Sequence, residues 1–186
     1  MIQITPRAWA MLMLAARHDD SLEVGGFFRF ALDATGVALV DDVLIPPQTV
    51  RSTHVDIDSD QLDWLMVKLI ERGEHPKDYG WWHSHNTMGT TPSGTDHKTL
   101  LELAKQAGTG SALGLVVNVH GDTSAWATFR SPLTGNFVEE KLSVEVLEDI
   151  DPELYDEVME MMKHVVEAQP WKGSPINATV GFTKND

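Results

Sequence analysis

The chain has 186 residues, 42% of them hydrophobic and 23% charged, which suits one soluble domain with or without a tail. Lys and Arg number 14 against 28 Asp and Glu, and the net charge of −14 argues against nucleic acid or an anionic membrane as the main partner. There is no cysteine, which excludes disulfide scaffolds, thiol catalysis, Cys-ligated zinc fingers and Fe–S clusters, so any metal must be held by carboxylates and the 8 histidines.

Residues 9–16 form an apolar run of signal-peptide length. Thr5-Pro6, however, reads as a helix N-cap followed by proline at the first helical position. Trp9, Leu12, Met13 and Ala16 recur at helical spacing, and Arg17-His18 sit where a helix C-terminus favours positive charge, so an amphipathic first helix is expected. No run approaches the ~20 apolar residues of a membrane span, and a cytoplasmic protein is expected.

After Glu23-Val24-Gly25-Gly26, residues 27–32 and 37–45 read as a hairpin about a turn at Gly36, stopped by Pro46-Pro47. Residues 49–57 alternate weakly as a third strand. Asp58 or Ser59 caps a helix with Leu62, Leu65, Met66 and Leu69 on one face and Gly73 as its stop. Residues 79–85 form a short aromatic strand, and Pro92-Ser93 opens a helix to about residue 107. Residues 113–119 are a nearly continuous apolar run, typical of a central strand buried on both faces. Two further strands, 124–129 and 137–146, flank a turn at 132–136.

Residues 139–160 hold ten acidic residues against the single base Lys141. Within them Asp151-Pro152 starts a helix with Leu154, Val158, Met161, Met162 and Val165 along one stripe that covers the core. The expected organisation is one mixed α/β domain over residues 1–168 and an extended or disordered tail over 169–186, whose Trp171 and Phe182 either dock on the domain or meet a partner.

The chemistry concentrates between Gly80 and Asp96. His83 and His85, two apart on a strand, project from one face, where two neutral imidazoles can chelate a divalent metal. Asp96, one turn into the following helix, can add an oxygen ligand. Two His and one carboxylate with an open position is the pattern of a catalytic zinc site, and ferrous iron also uses it. Duller explanations exist for each half: two packed histidines, and a Ser93-x-x-Asp96 capping pattern. Their joint occurrence, His-x-His then seven residues then Ser-x-x-Asp, is what makes the pattern specific.

His83-Ser84-His85 followed after seven residues by Ser93-Gly94-Thr95-Asp96 resembles, without a gap, the zinc motif of the JAMM (MPN/JAB-domain) metalloproteases. That family also requires an upstream glutamate, for which Glu23 in Glu-Val-Gly-Gly is the match, and the element order agrees over about residues 1–130. The resemblance implies a cytidine-deaminase-like three-layer α/β fold, with a central mixed sheet flanked by helices. It implies one Zn2+ held by His83, His85 and Asp96, and cleavage behind the C-terminus of a ubiquitin-like protein or its conjugate. Glu23 would be the general base, and Ser93 would donate its hydroxyl to the developing oxyanion. The Trp81-Trp82 pair and the compact size look more like the prokaryotic and phage branch. No long inserted loop resembles those that set ubiquitin-chain specificity in some eukaryotic members, which favours trimming of a single modifier or processing of its C-terminus.

Competing readings are a non-catalytic MPN-type scaffold and a zinc peptidase acting on cell-wall or phage-assembly peptides. A homodimer stays open. A nucleoside deaminase is disfavoured, since it would need a Cys-x-x-Cys element. Around the motif, Ser84 is expected on the opposite face in a supporting or packing role, Trp81 either to wall the site or to be an ordinary core aromatic, and Met88, Thr90 and Thr91 to rim its mouth. His97 is expected on the surface, and His54, His75, His120 and His164 are expected to take no part.

Overall fold

The computed structural model describes residues 1–19, 21–50, 59–106, 108, 110–147, 160, 163 and 165–167. Its elements are β1 (Ile2–Ile4), α1 (Pro6–Ala16), β2 (Gly25–Leu32), β3 (Ala38–Leu44), β4 (Gln48–Val50), α2 (Ser59–Arg72), β5 (Tyr79–Ser84), α3 (Gly94–Gln106), β6 (Ser111–Val117), β7 (Thr123–Arg130), β8 (Phe137–Leu142), β9 (Val144–Val146) and β10 (Val165–Glu167). Eight strands form one mixed sheet in the order β8-β7-β6-β5-β2-β3-β1-β9, and β10 pairs in parallel with β4 as a separate ribbon. The first half of the chain's expected order is present, with β1 as an unexpected addition.

Pleating sorts the side chains into two layers. Phe28, Trp82, Leu115 and Ala125 face α1, whose Ala8, Met11, Leu12 and Ala15 complete that core. Phe27, Leu44 and Tyr79 point the other way and pack on Leu65 and Leu69 of α2, while Leu100 of α3 lies over Gly114 of β6. Helices therefore cover both faces of the sheet, and each motif residue belongs to a definite side.

The two edges of this sheet meet. β8 and β9, at opposite ends of the strand order, are separated in the chain by Ser143 alone, and its carbonyl accepts the Ile2 N–H at 2.8 Å. Residues 137–146 were expected as one strand; instead the run pairs β7 with its first part and β1 with its last. The curl explains why α1 is buried almost all round, at Ala8, Ala10, Met11, Leu12, Met13, Ala15 and Ala16, rather than along the stripe its spacing suggested. Trp9, expected in that stripe, is half-buried. Thr5 caps α1 as expected, its hydroxyl accepting the Ala8 N–H at 3.3 Å.

Other boundaries moved in instructive ways. α2 buries Gln61, Leu65 and Leu69, and Met66 is left 43% exposed, so the buried stripe is narrower than expected. Gly73 ends α2 in the left-handed region, φ +66°, as its stop. Of the expected strand 49–57, residues 49 and 50 are strand, as the end of β4, and 51–57 lie outside the described residues. Of the helix expected from Asp151, Glu160 is described and is helical, Val165 opens β10 instead of ending a helical stripe, and most of the rest, like the tail over 169–186, lies outside the described residues.

Gly26 shows how closely β2 and β3 approach. A Cβ there would stand 2.2 Å from the Leu44 carbonyl oxygen and 3.1 Å from Trp82 Nε1, so no side chain fits without moving backbone. Gly26→Ala should therefore cost about 1–3 kcal/mol of stability by overpacking, read as a lower urea midpoint. An unchanged midpoint would show that the strands can separate freely.

Candidate metal centre

The site is assembled from three local rules. Strand alternation on β5 turns His83 toward the α3 face and Ser84 toward the α1 face, and His85, just past the strand, keeps to the His83 side. Antiparallel pairing with β2 sets Gly25 opposite His83, and Ser84 extends the pairing by donating its N–H to the Val24 carbonyl at 2.7 Å. Continuing that register by one more step sets Glu23 opposite His85 on the same face. Glu23 is 3% exposed, and its charge is among the causes that raise the His85 pKa.

Asp96 arrives by helix capping. Its Oδ2 accepts the Ser93 N–H at 2.5 Å, and its own N–H donates to Ser93 Oγ at 3.2 Å, a reciprocal cap at the start of α3. That cap directs the carboxylate back over the strand ends, where Oδ1 lies 3.4 Å from His83 Nε2 and Oδ2 lies 3.6 Å from His85 Nε2. The two Nε2 atoms are 3.0 Å apart. The capping explanation and the ligand explanation of Ser93-x-x-Asp96 thus hold together.

These separations test whether a metal fits. A tetrahedral ion with bonds of about 2.0–2.1 Å has ligand–ligand edges of about 3.3–3.4 Å. The Nε2–Nε2 separation of 3.0 Å and the 3.4 and 3.6 Å from the two imidazoles to one carboxylate oxygen each lie close to that value. His83, His85 and Asp96 are all buried, and among the described residues they are the one group of three such donors that could hold a metal ion. His85 Nδ1 lies 2.8 Å from the Gly89 carbonyl, which accepts the Nδ1 proton and leaves the Nε2 lone pair for the shared point.

Charge follows the geometry. Burial alone would raise the Asp96 pKa, but hydrogen bonds from His83 and His85, with the His83 charge and the Ser93 N–H behind them, hold the carboxyl far below its usual range. His85 is pushed up, chiefly by Asp96; burial opposes this, and the Gly89 carbonyl and the charges of Glu23 and Asp96 add to it.

Trp81 stacks on His83 with ring centroids 4.5 Å apart and planes at 19°, so it walls the site as expected. Ser84 does more than pack: its hydroxyl accepts the Val24 N–H at 2.9 Å and pins the segment that carries Glu23. Ser93 is exposed at the start of α3, and Met88 and Thr91 are exposed on the connecting loop. Thr90 is buried and bonded to Ser124 Oγ at 2.9 Å, so it anchors the loop rather than rimming its mouth. His97 is half-buried rather than on the open surface, with Nδ1 2.7 Å from Glu139 and its ring edge-on to Trp126. His75 caps the short turn Pro76–Asp78, and His54 and His164 lie outside the described residues.

Several supports carried no mark in the sequence. Gln48 of β4 is buried and grips Gly25 from both sides, its Oε1 accepting the Gly25 N–H at 2.9 Å and its Nε2 donating to the Gly25 carbonyl at 2.7 Å. Asn118 and Ser124 hold the loop that follows His85. An apolar cleft of about 470 Å³ opens near Tyr79 and Gly80, at the other end of β5 from the donors, among Phe27, Phe30, Leu65, Leu113 and Phe129. It brings no carboxylate or imidazole together.

The sign of the pH dependence follows from both shifts. The lowered Asp96 pKa stabilises the fold above its unfolded value of about 3.9, and that is lost as pH falls through the folded value. The raised His85 pKa stabilises it below about 6.5, and that is lost as pH rises through the folded value. In a chelator the contribution of this pair should therefore be largest between about pH 4 and 6.5, while divalent-metal affinity, which needs neutral His85, should rise with pH above that window. Denaturation and metal titration across this range check both slopes; metal affinity independent of pH would contradict the assignment of His85 as a ligand. No protein-family model and no curated protein matches the chain.

Proposed function

We propose that the chain is a zinc-dependent isopeptidase or peptidase of the JAMM type, cleaving the bond behind the C-terminus of a ubiquitin-like modifier. The observation that carries this reading is the buried triangle of His83, His85 and Asp96 with Glu23 opposite His85 in the continued β2–β5 register. The mixed sheet with α1 on one face and α2 and α3 on the other supports assignment to the cytidine-deaminase-like fold. His83, His85 and Asp96 are the zinc ligands, a set with no fourth protein donor among the described residues.

Zinc in such a site supplies a Lewis acid and brings the pKa of a coordinated water down to about 7. The protein's own part falls to four side chains. Glu23, not a member of the donor triangle, takes the proton of the attacking water and delivers it to the departing amine. Ser93 already accepts the Asp96 N–H through its oxygen, which leaves its hydroxyl hydrogen to donate to the carbonyl oxygen as negative charge develops. Trp81 keeps His83 in place by stacking and shields its ring from water. Asp96, held ionised, keeps the ligand set negatively charged at neutral pH.

A scaffold domain has no physical need for four buried polar side chains converging at one place, each of which is costly to bury. The compartment proposed is the cytoplasm; no helix among the described residues is long and apolar enough to cross a membrane.

Metal analysis of the purified protein should find about one zinc per chain. His83→Ala and Asp96→Ala should lose it. Glu23→Gln should retain the zinc and lose about 10²- to 10⁴-fold in turnover of a modifier fused to a C-terminal reporter peptide. Cleavage by Glu23→Gln at the parent rate would remove Glu23 from the mechanism, and a parent protein that binds no zinc would remove the reading altogether.

A further inference from the structure

We propose that Asn118 is a positioning residue for the metal site, acting through the 86–89 turn to fix the orientation and tautomer of His85. The inference rests on the proposed metal site but concerns a residue outside the motif. Asn118 follows β6 and is 1% exposed. Its amide uses every hydrogen-bonding position it has. Nδ2 donates to the Met88 carbonyl at 3.0 Å and to Asp122 Oδ2 at 2.9 Å, and Oδ1 accepts the His120 N–H at 3.1 Å and the Asp122 N–H at 2.9 Å.

The bond to Met88 matters because of what comes next in the chain. The Met88 carbonyl belongs to the peptide plane that leads into Gly89, and the Gly89 carbonyl is the acceptor for His85 Nδ1. The turn is closed at its other end by the Met88 N–H donating to the His85 carbonyl at 2.8 Å. It is tied to the segment after β6 by the Val119 N–H donating to the Asn86 carbonyl at 2.9 Å. Asn86 itself lies in the left-handed region, φ +47°, so the turn is a specific conformation that external bonds must hold. The Asn118 amide links this turn to the 118–122 turn. Without it the Gly89 carbonyl loses its fixed direction, and His85 loses the acceptor that keeps the proton on Nδ1 and the Nε2 lone pair toward His83 and Asp96.

The test uses the full-length chain loaded with zinc. Zinc affinity is measured by competition with a chromogenic chelator, and the His85 ring by ¹⁵N NMR. Asn118→Ala removes the amide. Asn118→Asp keeps its size and the acceptors for His120 and Asp122 but sets a carboxylate oxygen against the Met88 carbonyl. Both should weaken zinc binding by about 10- to 100-fold and speed solvent exchange of the His85 Nδ1 proton. Asp122→Asn retains an acceptor for Asn118 and should bind zinc as the parent does. Parent-like zinc affinity in folded Asn118→Asp, or a parent spectrum with His85 coordinated through Nδ1, overturns the positioning role while leaving the metal site standing. The second observation needs no variant to fold. A parent that binds no zinc defeats the metal site and this inference together.

Discussion

The register between β2 and β5 is the constraint on which the site depends. Gly25 opposite His83 brings Glu23 level with His85, and a slip of one residue would send every β2 side chain to the other face of the sheet. The apolar core enforces this register: slipping would withdraw Phe28 from the α1 layer and Phe27 from the α2 layer together. Ser84 and Gln48 then hold the end of the pair, where the ladder proper stops and the chemistry begins. The hydrophobic layers thus determine which carboxylate meets which imidazole, although no apolar side chain takes part in the chemistry proposed.

Asp96 carries a second constraint, because the two oxygens that serve folding are also those that the proposed metal site would use. Oδ2 closes the cap with the Ser93 N–H and faces His85, while Oδ1 faces His83. A buried carboxylate is costly unless paired, and here the helix N-terminus, the backbone N–H and two imidazoles compensate it together. Losing Asp96 therefore means losing a helix start as well as a proposed ligand, whereas Glu23 stands before β2, away from the α3 cap. Of the two carboxylates, Glu23 is therefore the one whose substitution separates metal binding from turnover in the mechanism proposed.

How much of this was legible in the sequence depended on whether the governing interaction was local. The alternation that pairs His83 with His85 and the Ser93–Asp96 cap are short-range rules, and both appear in the structure. Glu23 could be singled out only by resemblance, because its place is set by a strand sixty residues away that nothing near it announces. β1 is three residues long and pairs in parallel with β3 and β9, so its existence depends on distant segments rather than on its own pattern. The curl of the sheet was hidden for the same reason, and with it the all-round burial of α1. Asn118 sits in Asn-x-His-Gly-Asp, which reads as an ordinary polar turn; its burial and its bond to Met88 appear only when β6 lies beside β5.

The acidic composition also reads differently once the strands are placed. The stretch from residue 139 is strongly acidic in sequence, and within it Glu139 and Lys141, two apart on β8, share a face and are both engaged there. Glu139 pairs with His97 at 2.7 Å, next in the chain to the proposed ligand Asp96, and Lys141 stands 5.6 Å from the centre of the Trp126 ring. Farther along, Glu145 accepts the Gln3 side-chain N–H at 2.8 Å across the β1–β9 seam. Glu139 and Lys141 therefore each have a near neighbour on this side of the candidate metal centre, His97 and the Trp126 ring. For the peptidase proposed, selection of the scissile bond falls to contacts made at close range, on the loop between His85 and Ser93 and on the faces of Trp81 and Trp126 that line the candidate centre.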